Sequence, residues 1–139
     1  LYAYVADCNS WVDPLGLFGM PKGGWNYGNM PKISDYQLHH VIPRSQANHP
    51  AIKAASFNVD KPTNLIYLPK EKGIHPDRSL HNGWNKVHYE YNRGITNELD
   101  KIHKKGEAKG WSKAEYVTKI EDLKSTTRKG LRDGAIKCH

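Results

Sequence analysis

The sequence predicts an α+β domain built from two short strands and several helices. Two apolar runs of strand length, Tyr36-Gln37-Leu38-His39-His40-Val41-Ile42 and Leu65-Ile66-Tyr67-Leu68, each end at a proline. Val87, Tyr91, Ile95, Leu99 and Ile102 recur at helical spacing. A second stripe, Tyr116, Val117, Ile120 and Leu123, follows Ser112 and Glu115, a capping-box pair. A chain of 139 residues makes one domain with a modest core.

In chain order, residues 1–17 read as a strand-like aromatic start followed by turns, too sparse in apolar residues to fold alone. They look like the tail of something larger. Residues 18–34 hold Gly19, Gly23, Gly24, Gly28, Pro21 and Pro31, the composition of a linker. The body is expected over 35–139. It opens with a strand at 36–42, then a short helix at 50–55 with proline in its first turn. A second strand at 65–68 and a loop at 70–79 lead to a long helix around 81–105. Lys101, Lys104, Lys105 and Gly106 suit that helix's end.

The net charge of +7 favours an anionic partner. From Asp100 onward there are 11 Lys or Arg against 6 Asp or Glu, so the excess sits mainly in the last two helices. No apolar stretch approaches a membrane span and no signal-peptide pattern opens the chain, so no membrane partner is expected. Cys8 and Cys138 lack any framework or CxxC spacing and are expected as free thiols in a reducing compartment.

Eight histidines form the compositional anomaly, and five of them (His39, His40, His75, His81, His88) lie in the middle of the chain. Neighbouring strand residues point to opposite faces, but at a strand end both can approach one centre from different sides. His81, Asn85 and His88 have the spacing of one helix face. Phosphodiester hydrolysis needs an activated water, neutralised phosphate charge and a stabilised leaving oxygen. An imidazole can supply the first and a divalent cation the other two. Arg44, just after the first strand, suits a bidentate phosphate contact, and Lys86 adds charge beside the helix start.

Leu38-His39-His40-Val41-Ile42-Pro43 resembles the opening motif of the His-Me finger (HNH) nucleases, specifically the AHH/LHH-type toxin modules. Phe57-Asn58-Val59-Asp60, Asn64-Leu65-Ile66-Tyr67-Leu68-Pro69 and Leu80-His81-Asn82-Gly83-Trp84-Asn85 are similar to the later motifs, in order, from about residue 36 to 99. The resemblance implies a ββα-metal core with added C-terminal helices. It implies that His39 is a metal ligand, His40 the general base and Asn64 the residue that orients His40. His81 and Asn85 would complete the metal site. Asn85 departs from the relatives, which usually carry histidine there. Its oxygen moves the expected ion towards Mg²⁺, with Mn²⁺, Zn²⁺ or Ni²⁺ as alternatives, and makes His88 the substitute ligand.

Residues 9–17, Asn9-Ser10-Trp11-Val12-Asp13-Pro14-Leu15-Gly16-Leu17, resemble the end of the Rhs-type shell that precedes variable toxins, with release after Leu17. Together these resemblances imply a secreted endonuclease toxin that hydrolyses DNA in the cytoplasm of a target bacterium. They also imply a cognate immunity protein and an upstream Rhs-type shell as partners. Two alternatives stay open: an RNase of the same fold, and a non-catalytic, zinc-stabilised nucleic-acid-binding module.

Overall fold

The computed structural model describes residues 24–139. The expected shell remnant at 1–17, its release point and Cys8 lie outside the described residues. Two strands, β1 (Tyr36–His40) and β2 (Leu65–Pro69), pair antiparallel with His39 opposite Ile66 and His40 opposite Leu65. Between them runs the short helix α1 (Pro50–Ala54), and after them come α2 (Lys86–Lys109) and α3 (Lys113–Arg132). Among the described residues no helix is long and apolar enough to cross a membrane.

β2 is buried along its whole length: Ile66 and Leu68 enter the core, while Tyr67 on the other face reaches the segment before β1 through its bond to the Pro31 carbonyl, so the run is continuous and not alternating. β1 ends two residues earlier than expected. Val41 and Ile42 stay fully buried but leave the ladder: the Val41 and Ile42 N–H groups donate to the backbone and side-chain oxygens of Asn64. Pro50 sits in the first turn of α1, and His49 caps it by accepting the Ala51 N–H on Nδ1.

The core gathers Ile42 and Ile52 with Ile66 and Leu68, closed by Leu99 from α2 and Ile120 from α3. Ser112 caps α3 by accepting the Glu115 N–H at 3.3 Å, as the sequence pattern anticipates. Both ends of α2 differ from expectation. Asn85 caps its start, so the helix opens at Lys86, not near His81. Its end runs past Gly106 to Gly110, which takes the left-handed conformation (φ +64°) favoured at a helix stop. Gly106 serves packing: a Cβ there would collide with the buried Tyr116 phenol.

Residues 24–34, expected as linker, pack on this body. The Tyr27 N–H donates to the Asp60 carbonyl and the Tyr67 hydroxyl donates to the Pro31 carbonyl. The α3 charges are not all solvated either. Lys124 is buried against Glu121, and the Arg128 guanidinium donates to the Thr63 and Leu65 carbonyls at 2.8 and 2.7 Å. Arg128 thus braces the turn into β2 and Lys124 is tied to Glu121 on its own helix, so both charges are engaged within the fold.

Two glycines of α2 should respond oppositely to alanine. Gly94 faces open space, so Gly94→Ala gains about 0.5–1 kcal/mol of helix propensity and raises the melting temperature. Gly106→Ala displaces Tyr116 and costs about 1–3 kcal/mol. Thermal melts of the two variants check the pair, and equal shifts would contradict this packing.

Candidate active site

The end of β1 divides two environments. His39 turns inward, 3% exposed, while His40 turns to the opposite side. Around His39 stand His81, with ring centroids 4.6 Å apart, and His88 at 5.7 Å. Cys138, fully buried, joins them. The donor atoms of His39, His81, His88 and Cys138 all lie within 4.8 Å of one another.

Each member arrives by a different route. His81 is not helical: it extends from the end of β2, with its N–H donating to the Pro69 carbonyl at 2.9 Å. Gly83 (φ +72°) then turns the chain into α2. His88 lies in the first turn of α2 and its Nδ1 is 3.2 Å from the Gly83 carbonyl. A carbonyl only accepts, so this contact puts the proton on Nδ1 and leaves the Nε2 lone pair for a cation.

Burial and the neighbouring imidazoles hold His39 well below the usual histidine range, and burial then His88 and His139 lower His81 to about 4. Both rings are neutral at pH 7, the state a metal requires. Burial pushes the Cys138 thiol up to about 12, so without a cation it keeps its proton.

His40 has different company. Its Nε2 lies 2.8 Å from a carboxylate oxygen of Asp60, which places the proton on Nε2 and frees Nδ1 as the acceptor. Tyr27 packs on the ring at 4.5 Å. Asp60 also receives the Arg44 Nε at 3.5 Å, and the Arg44 cation lies over Tyr27. Asn64 makes no contact with His40. Its amide accepts the Ile42 N–H and donates to the Ile42 and Val59 carbonyls, at 2.9, 3.0 and 2.7 Å. The side chain that touches His40 is Asp60, the last residue of the Phe57-Asn58-Val59-Asp60 motif, for which the sequence alone implies no role.

His39, His40, Arg44, His81, Trp84 and His88 line one open cleft of about 220 Å³. Four of the expected site histidines and the expected arginine thus meet in one place. Asn85 and Lys86 do not line it. The Asn85 oxygen accepts the His88 N–H as the α2 cap, and Lys86 is exposed beside Glu90. The oxygen on which the Mg²⁺ expectation rested is therefore already spent on the backbone.

A family model of nucleases of the HNH/ENDO VII superfamily, characterised by a conserved AHH, matches residues 20–127. The chain belongs to the AHH nuclease family. Its Leu38-His39-His40 stands at the strand end where the motif's histidine pair is expected. The order β1, β2, then the α2 turn bearing His88 is the expected α+β arrangement, and nucleic acid is the substrate class. Neither the curated proteins nor the solved structures contain a match to the nuclease.

Three imidazoles and a thiol fit a borderline divalent cation better than Mg²⁺, which prefers oxygen donors. A cation seated here needs His88 and not Asn85. His88→Ala should weaken binding strongly in a calorimetric Zn²⁺ titration. Asn85→Ala should bind with near-parental affinity while losing about 1 kcal/mol of stability through the missing cap. Loss of binding in Asn85→Ala with retention in His88→Ala would reverse the assignment.

Proposed function

We propose that this nuclease is a metal-dependent DNA endonuclease and the toxic domain of a secreted bacterial effector. The observation that carries the reading is the shared cleft: an imidazole with a free Nδ1, fixed by Asp60, opens beside a cluster of histidine and cysteine donors. His39, His81 and His88 would hold the cation. Once bound, it would supply charge neutralisation at the phosphate and at the departing 3′ oxygen.

The chain's own groups do the rest. His40 Nδ1 takes a proton from water as that water attacks phosphorus, and Asp60 keeps the ring oriented and steadies its positive charge. Arg44, held by Asp60 and Tyr27, meets a phosphate oxygen at the cleft edge. Trp84 is 65% exposed beside His88, and offers a face on which a base can stack. Tyr91 is buried and donates its hydroxyl to the Val41 carbonyl, so it presents no face to a base.

The toxin role rests on the likeness of residues 1–17 to a shell terminus. In this reading an upstream Rhs-type shell releases the domain after Leu17, it acts in the cytoplasm of a target cell, and a cognate immunity protein protects the producer.

Plasmid DNA and total RNA, each with Mg²⁺, Mn²⁺, Zn²⁺, Ni²⁺ or EDTA, form the test. Cation-dependent cleavage of plasmid supports the reading, and cleavage of RNA alone would replace it with an RNase. His40→Ala should lower the rate about 10²–10⁴-fold with an unchanged circular dichroism spectrum. Asp60→Ala should lose less. Expression of residues 18–139 should kill bacteria and His40→Ala should abolish killing; a parental rate in His40→Ala puts the base elsewhere.

A further inference from the structure

We infer that Cys138 is a fourth protein ligand, completing a His₃Cys set with His39, His81 and His88 that selects a zinc-type cation. This rests on the three-histidine site proposed above and adds a donor from the segment after α3, far from every motif of the nuclease core.

The geometry is the first support. Cys138 Sγ lies 3.5 Å from His81 Nδ1 and 3.7 Å from the His39 ring nitrogens. With the usual Zn–N and Zn–S bond lengths, ligand atoms around a tetrahedral ion stand roughly 3.3–3.6 Å apart. The sulfur sits at that spacing from His81 and within about 0.1–0.2 Å of it from His39, and the remaining pairs, none more than 4.8 Å apart, need to close by about 1.5 Å at most.

The second support is the hydrogen bonding of His39. Among the described residues its ring nitrogens, 3% exposed as a residue, meet only this sulfur in the hydrogen-bond pattern. A thiol is only a weak donor and can serve one of those two nitrogens at a time. A cation between them satisfies both.

The third is the path that delivers the thiol. Ser79, two residues before His81, takes the Leu131 carbonyl with its N–H and donates its hydroxyl to the Ile136 carbonyl. Ile136 returns its N–H to Gly130, against which its side chain packs. Gly134 (φ +76°) turns the chain where a Cβ would collide with the Asp77 carbonyl. The segment after α3 is thus lashed to the loop that carries His81, and both donors come to the cluster together. Zinc can expand to five ligands, so four protein donors still leave room for a phosphate oxygen from the cleft.

Cobalt(II) is the probe, added to the full chain and read by absorption. The wild type should take up one equivalent with strong tetrahedral visible bands and a sulfur-to-cobalt charge-transfer band in the near ultraviolet. Cys8→Ser should keep both. Cys138→Ser should keep one equivalent through the histidines, lose the charge-transfer band and bind more than about tenfold more weakly, since even outer partners of a ligand cost that much. One equivalent without a charge-transfer band, or a band that vanishes in Cys8→Ser instead, overturns the Cys138 assignment and leaves the histidine site standing. No stoichiometric cobalt uptake by any of the three overturns both. The wild-type and Cys8→Ser spectra decide the matter even if Cys138→Ser does not fold.

Discussion

The buried amide of Asn64 bonds to Ile42 on both its N–H and its carbonyl, and to the Val59 carbonyl, while its own backbone oxygen accepts from Val41. Those bonds stop β1 at His40 and bind the strand's exit to the loop that bears Asp60. Breaking them would leave several buried backbone groups unpaired, at about 1–3 kcal/mol each. The placement of His39 against α2 and of His40 against Asp60 both follow from where that strand stops. Asn64 thus acts on the site through the backbone, one step removed from the ring it was expected to orient.

From that fixed point the fold makes two different histidines from adjacent residues. His39 is dry and faces two imidazoles and a thiol, an arrangement in which its lone pair suits a cation. His40 borders the open cleft and a carboxylate, which suits a ring that must gain and lose a proton. The alternation of a strand separates the two rings, and in the proposed reaction the shared cleft brings both to one phosphate.

The strands, the short helix, the last helix and its cap were legible because each carries a local signal: an apolar run between prolines, proline in a first turn, Ser112 three residues before Glu115. The start of α2 was harder. His81, Asn85 and His88 have helical spacing, yet Gly83 in the left-handed region breaks the pattern, and Asn85 is as good a cap as it is a ligand. Gly106 read as a stop because its packing against Tyr116 is a tertiary fact. Asp60 was visible only as part of a motif, since its bond to His40 depends on the loop's return. Cys138 carried no signal at all: its neighbours in space are 57 and 99 residues away in sequence.

The central claim is that one cation is held by His39, His81 and His88 while His40 remains outside its shell with the proton on Nε2. Imidazole nitrogen shifts, recorded by long-range ¹H–¹⁵N correlation during a Zn²⁺ titration, test it directly. The account predicts that these three rings each show one metal-bound nitrogen at one equivalent, with that of His88 being Nε2, while His40 keeps its Nε2–H pattern. A metal-bound nitrogen on His40, or zinc-free signals on His39, His81 and His88 at saturation, would contradict it.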